Sequence, residues 1–120
     1  MASKRMFSMD VVGSDEFLDL PASAQNLYFH LNMRADDDGF VNNARTVTRI
    51  VGSSEDDLDL LEESGLLMIY GSVVVIRHWH VHNQINPQWY IPTRYRDLLG
   101  SLTLLSNGAY TDRPDITYRP

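Results

Sequence analysis

The chain has 120 residues, 43% of them hydrophobic and 22% charged, enough for one packed domain and too few for two of ordinary size. It has no cysteine, which excludes disulfides and thiolate-ligated zinc and makes the cytoplasm the expected compartment. The formal net charge of −6 excludes coating of nucleic acid by bulk positive charge, but residues 1–40 and 41–70 each carry −4 and residues 71–120 carry +2.

Residues 14–20 read as a short turn of helix with Phe17, Leu18 and Leu20 apolar, and Pro21 restarts the pattern as a first-turn proline does. Ala24, Leu27, Tyr28, Leu31 and Ala35 then recur at the spacing of one helical face. Asp36-Asp37-Asp38-Gly39 stops that helix and is expected to be a solvated acidic turn. Phe40 and Val41 read as a very short strand, after which Asn42 or Asn43 caps a second helix. That helix is expected to turn Ala44, Val47, Ile50 and Val51 inward and Arg45, Thr48 and Arg49 outward, ending at Gly52. Ser54 and Asp57 form a capping-box pattern, the carboxylates of Glu55, Asp56 and Asp57 suit the helix dipole, Leu58 and Leu61 face inward, and Gly65 ends this third helix.

Residues 66–70 and 73–79 flank Gly71-Ser72, a two-residue turn with glycine first, which predicts a β-hairpin of type II′. Asn86-Pro87 breaks the chain, residues 93–105 are expected to add a helix, and the tail from Tyr110 is expected to be extended. The order helix, short strand, helix, tight turn, helix, hairpin predicts a mainly α fold with a small β-hairpin (α+β), a winged helix-turn-helix. Residues 1–110 would form this domain, with an N-terminal arm and a C-terminal extension, and residues 111–120 the tail.

One combination of strings carries a resemblance. Leu20-Pro21, then Tyr28-Phe29-His30-Leu31-Asn32-Met33, then Ala35-Asp36-Asp37-Asp38-Gly39-Phe40-Val41-Asn42-Asn43 are followed by Val73-Val74-Val75-Ile76-Arg77-His78-Trp79, His82-Asn83, Ile85, Tyr90, Pro92-Thr93 and Tyr95. In this joint order they resemble the N-terminal region of phage replisome organisers, DnaD-like replication initiation proteins of phages in Gram-positive bacteria. The resemblance spans residues 4–110. It implies a winged-helix domain that engages DNA at a replication origin, self-associates, or both. It also implies helicase-loading proteins as partners, reached through a further domain outside the winged helix.

For DNA, the second helix offers Asn42, Asn43, Arg45, Thr46 and Arg49, side chains that donate to phosphates or base edges, and Arg77, His78 and His80 on the wing are expected to add to them. The third helix, the usual reader of the major groove, instead exposes Glu55, Asp56, Asp59, Glu62 and Glu63, which phosphates would repel. Trp79, Trp89, Tyr90 and Tyr95, interleaved with Arg94 and Arg96, either stack on unpaired bases or, the favoured reading, pack a C-terminal segment onto the core. Tyr90, Ile91 and Tyr95 are candidate oligomerisation contacts. Competing readings are a pure oligomerisation module without DNA contact and a transcription regulator.

No enzymatic activity or cofactor is expected. The Walker lysine, nucleophile-elbow serine and dinucleotide glycine patterns are all missing. Asp36-Asp37-Asp38-Gly39 lacks the spaced ligands and closing glutamate of a calcium loop, and no histidine follows His82-Asn83 to complete an HNH-type nuclease. His78, His80 and His82 would share one face only in a continuing strand and have no neighbouring carboxylate, so no metal is expected. The longest apolar run, residues 66–76, falls short of the roughly 20 residues that span a bilayer, and an acidic stretch follows Lys4 and Arg5 where a secretory signal needs an apolar core. Neither membrane insertion nor secretion is expected.

Overall fold

Two single turns of helix, α1 (Met9–Val12) and α2 (Asp15–Leu18), precede the long first helix, and each starts on a serine. The hydroxyl of Ser8 accepts from the Asp10 N–H and that of Ser14 from the Phe17 N–H, satisfying donors that a helix start leaves unpaired. These residues belong to a computed structural model that describes residues 4–113. α3 (Ala22–Arg34) follows Pro21 and buries Ala24, Leu27, Tyr28 and Leu31, the face that the spacing predicts.

β1 (Phe40–Asn42) leads through Asn43, in the left-handed region at φ 58°, into α4 (Ala44–Ile50). The inner face of α4 differs from the expectation: Thr48 is 1% exposed and Ile50 is 64% exposed. Ala44, Val47 and Thr48 stand at i, i+3 and i+4, whereas Ile50 lies about 120° around the helix from Ala44. Burial costs Thr48 little because its hydroxyl donates to the Ala44 carbonyl at 2.8 Å. α5 (Glu55–Glu63) has both halves of the capping box, and Leu58 and Leu61 are buried as expected. Asp57 reaches further, accepting from the Ser23 hydroxyl at 2.8 Å and so tying α5 to α3.

β2 (Leu67–Tyr70) and β3 (Val73–Ile76) form the expected antiparallel hairpin. Gly71 at φ 64° supplies the positive φ that the first position of its turn requires, and Ser72 does not share it, as in a type II′ turn. β1 pairs with the other side of β3, giving the order β1-β3-β2 with Phe40 opposite Val75 and Asn42 opposite Val73. The core joins these strands to α3 and α5 through Leu27, Leu31, Leu61, Leu67, Val75 and Ile76.

The chain departs from expectation after Ile76. The strand expected to continue to Trp79 stops there, and α6 (Trp79–His82) is one turn of helix. The helix expected over residues 93–105 shrinks to α7 (Arg96–Gly100), closed by Ser101, whose N–H donates to the carbonyls of Asp97 and Leu98. β4 (Thr103–Leu104) then pairs with β5 (Tyr110–Thr111) across a turn containing Asn107 and Gly108. The start of the expected tail is therefore a strand, and residues 114–120 of it lie outside the described residues. The α+β class holds: short helices surround a small antiparallel sheet. No described helix is long and apolar enough to cross a membrane.

Candidate nucleic-acid interface

Asn42 at the end of β1, Asn43 at the step into α4, and Arg45, Thr46 and Arg49 on the outward side of α4 are all exposed. Inward packing of Ala44, Val47 and Thr48 leaves these side chains no apolar competitor except Ile50. Arg45 lies against the hairpin turn, its Nη1 3.5 Å from the Gly71 carbonyl, and its Nε donates to Glu55 at 3.2 Å. That ion pair is exposed at both ends, so it stabilises little and yields readily to a stronger anion. Arg49 has no carboxylate within 4 Å among the described residues.

Arg77, His78 and His80 do not join this face. Arg77 lies four residues along the hairpin from Val73 at the turn, about 13 Å at the strand rise. All three are half-buried, and Arg77 and His80 lie against Tyr110 of the C-terminal hairpin. The Arg77 guanidinium donates to the Tyr110 carbonyl at 2.9 Å, and the His80 Nε2 lies 3.0 Å from the Tyr110 hydroxyl. Burial lowers the pKa of both histidines, with Arg77 adding to the effect at His78 and Asp38 opposing it at His80. Neutral, half-covered rings are poor partners for phosphate, and the contribution expected from the wing is removed by the C-terminal segment packed upon it.

The histidines also point to separate partners. His82 is buried on α6, with Nδ1 accepting from the Ser8 N–H at 2.9 Å and Nε2 2.6 Å from the Tyr28 hydroxyl. Because Ser8 can only donate there, the neutral ring holds its proton on Nε2 and donates to Tyr28. With the strand ended at Ile76, the shared face that a continuing strand would have given residues 78, 80 and 82 does not form.

Asp36-Asp37-Asp38 is not a solvated stop; Asp37 is 9% and Asp38 5% exposed. Asp36 accepts from the N–H groups of Asp38 and Phe40 and from the Thr93 hydroxyl. Asp37 accepts from the Arg5 guanidinium at 3.3 Å and the Ile91 N–H at 3.0 Å. Asp38 accepts from the Tyr90 hydroxyl at 2.7 Å and the Thr93 N–H at 2.8 Å. Burial, then the bond to Asp38, pushes the Tyr90 phenol up to about 12. The turn thus anchors both the N-terminal arm and residues 90–93.

Gly39 completes the arrangement. At φ 87°, it lies where an added Cβ would come within 2.6 Å of the Trp79 ring. Trp79 is fully buried there, its indole N–H donating to the Asp37 carbonyl at 2.9 Å and its face covered by Arg5 at 4.9 Å.

Packing of the remaining aromatics is uneven. Tyr95 stacks on Phe40 at 6.2 Å, so that candidate oligomerisation contact faces inward, and Tyr90 is held by Asp38. Ile91 is 59% exposed, and Trp89, expected to pack, is 71% exposed. Two adjoining hollows flank this segment. One, of about 330 Å³, is lined by Arg34, Asn42, Phe40, Arg94 and Tyr95, and the other, of about 470 Å³, by Lys4, Met6, Asn83, Ile85 and Trp89. Arg5, Asp37 and Ile91 border both. The sequence signals this region through the Asp run and the aromatics and arginines of residues 89–96, but nothing local marks Arg5 as a partner of Asp37.

No protein-family model, curated protein or solved structure matches this chain.

Proposed function

We propose that the chain is a DNA-binding and assembly domain of winged-helix type, serving a phage replication initiator in the host cytoplasm and acting without enzymatic chemistry. The observation that carries the DNA reading is the exposed group Asn42, Asn43, Arg45, Thr46 and Arg49, which runs from the end of β1 along α4 beside the tip of the β2–β3 hairpin. The winged-helix reading is supported by the order α3, β1, α4, α5, β2, β3 and by the placement of β1 against β3. The resemblance of the strings from Leu20 to Tyr95 to replisome organisers supports the replication role and origin DNA as the target.

The contact is made by α4 and not by α5, whose Glu55, Asp56, Asp59, Glu62 and Glu63 are all exposed. Duplex DNA carries one phosphate charge per roughly 1.7 Å of axis, so docking this acidic face in a groove is electrostatically unfavourable. The arginines of α4 and the asparagines just before it offer the opposite match, bidentate donation to phosphate or guanine from Arg45 and Arg49 and to adenine from Asn42 or Asn43.

A second reading, a module that assembles only with protein, is favoured by the same acidic face of α5 and by exposed Ile91. Duplex titrations between about 50 and 200 mM salt, with the mass in solution measured alongside, separate the two. Replacing Arg45 and Arg49 together with alanine is expected to weaken binding and reduce the salt slope by about one to two. Absence of duplex binding at about 50 mM salt sinks the DNA reading. Self-association that survives the arginine changes but is lost on replacing Asp59 and Glu62 with serine establishes the protein reading.

A further inference from the structure

Charge around the two hollows beside Ile91 is distributed in an unusual way. Their carboxylates, Asp36 and Asp37, are fully engaged by donors from within the fold. Arg5 is engaged as well, donating to Asp37 and to the Ala35 carbonyl. The other cations at the rim, Lys4, Arg34 and Arg94, have no carboxylate within 4 Å among the described residues and are exposed. With Lys4, Arg5, Arg34 and Arg94 against Asp36 and Asp37, the lining of this groove carries a net charge of +2, although the whole chain carries −6.

Two further features mark the groove as built for a ligand. Trp89 presents its indole at 71% exposure in the larger hollow, beside the apolar side chains of Met6, Ile85 and Ile91. Asn83, which lines the same hollow, is 4% exposed, and its amide nitrogen has no partner among the described residues. Its Oδ1 accepts from the Met6 N–H at 2.9 Å, which fixes the amide orientation and leaves a donor free. Exposed Gln84 and Asn86 add further amides at the edge.

We propose that this groove binds single-stranded nucleic acid, one base stacking on Trp89 with Asn83, Gln84 and Asn86 at its edge, and the backbone passing Lys4, Arg94 and Arg34. A free π-face beside unpaired cations is the combination that unpaired strands require, because every base can stack and every phosphate is anionic. The hollows, about 330 and 470 Å³, fall in the size range of ligand sites. Asn42 lines the smaller hollow and begins the exposed group that continues onto α4, so the groove opens beside the proposed duplex contact. The inference does not depend on that contact: an initiator domain with both would hold a duplex and its opened strand together, and one with the groove alone would hold only the strand.

The test is a fluorescence titration of the full chain with oligo(dT) of about ten nucleotides, within the site sizes of single-strand binders. Of the two tryptophans, Trp79 is fully buried and Trp89 is exposed, so quenching by stacking reports on Trp89. Wild-type protein is expected to be quenched by oligo(dT), and Trp89→Ala to bind it at least about fivefold more weakly, as loss of one stacked base implies. Trp89→Phe, which keeps a π-face, is expected to retain more affinity than Trp89→Ala. Removing Lys4, Arg34 and Arg94 is expected to reduce the salt slope by about 0.7 per lost phosphate contact. Replacing Arg45 and Arg49 is expected to leave oligo(dT) binding unchanged, which separates this groove from the duplex contact. Oligo(dT) binding that is absent at low salt, or equal in wild type and Trp89→Ala by anisotropy of a labelled strand, overturns the proposal. A Trp89 signal that shifts with protein concentration alone, together with a dimer mass, assigns the groove to a second copy of the chain and overturns it as well.

Discussion

Asp36-Asp37-Asp38 and Glu55-Asp56-Asp57 are two runs of three consecutive carboxylates, and local electrostatics predicts the wrong one to be structural. The first follows the C-terminus of α3, where the helix dipole disfavours negative charge; the second opens α5, where the dipole favours it. Yet Asp37 and Asp38 are buried, while Glu55 and Asp56 are exposed and only Asp57 is drawn in. The difference lies in donors from far along the chain: Arg5, Tyr90, Ile91 and Thr93 converge on the first run. Around the second, apart from Arg45, the donors beyond the helix itself come to Asp57 alone. A carboxylate is held by the hydrogen bonds that reach it, and these outweigh a dipole effect of about 0.3–1 kcal/mol.

The comparison is broken most directly at Asp38. Asp38→Ala removes the acceptor for the Tyr90 hydroxyl and the buried Thr93 N–H, and a hydrogen bond to a charged group contributes about 1.5–3 kcal/mol. A loss of about 4 kcal/mol in urea unfolding is expected, with residues 90–95 released. A loss below about 1 kcal/mol would show that the turn is solvated after all.

The arm tied down by Asp37 has a second anchor, and acid should loosen it there. Burial, followed by the charge of His78, pushes the His82 pKa down to about 4 from an ordinary 6.5. The unfolded chain therefore takes up a proton near pH 6.5 that the folded chain refuses until about pH 4. Above pH 6.5 the ring is neutral in both states and adds no pH dependence. Between 6.5 and about 4 stability falls with pH, by about 3 kcal/mol in all, as the bond from Ser8 to Nδ1 opposes protonation. Urea midpoints from about pH 7 to 4.5 should fall more steeply for wild type than for His82→Gln, and equal slopes would refute the assignment.

The smallest effect belongs to the outer face of α5. Replacing exposed Asp59 and Glu63 with serine is expected to change stability by less than about 0.5 kcal/mol. A larger loss in a thermal melt would mean that this face has a partner in solution, and the contrast with Asp38 would narrow accordingly.

Much of the fold is legible because it depends on short-range rules. The face of α3 follows from the spacing of Ala24, Leu27, Tyr28 and Leu31, the start of α5 from Ser54 and Asp57, and the hairpin from Gly71-Ser72. The β4–β5 hairpin carries a local signal too: Asn107-Gly108 stands between Leu104-Leu105 and Ala109-Tyr110, a strong hairpin dipeptide that argues against a helix over 93–105. Thr48 and Ile50 exchange places because helical phase outranks hydrophobicity when a hydroxyl has its own carbonyl to satisfy it. In the candidate site, the exposure of Arg45, Thr46 and Arg49 follows from the phase of one helix, and Asn42 and Asn43 are exposed where β1 steps into it. The covering of Arg77 and His80 does not, since it depends on Tyr110, about thirty residues away.

By itself, the sequence determined where α3 and α5 begin, where the β2–β3 hairpin turns and which residues of α3 and α5 form the core, because capping, turn geometry and periodicity act over a few neighbouring residues. Only the tertiary structure decided which acidic run is buried, which arginines remain free and which tryptophan stays exposed. Those outcomes depend on groups from distant segments meeting: Arg5 on Asp37, Thr93 on Asp38 and the Trp79 ring on Gly39. Burial of a charge is a property of such a meeting, set by how many donors arrive at hydrogen-bond distance, and no residue carries it alone.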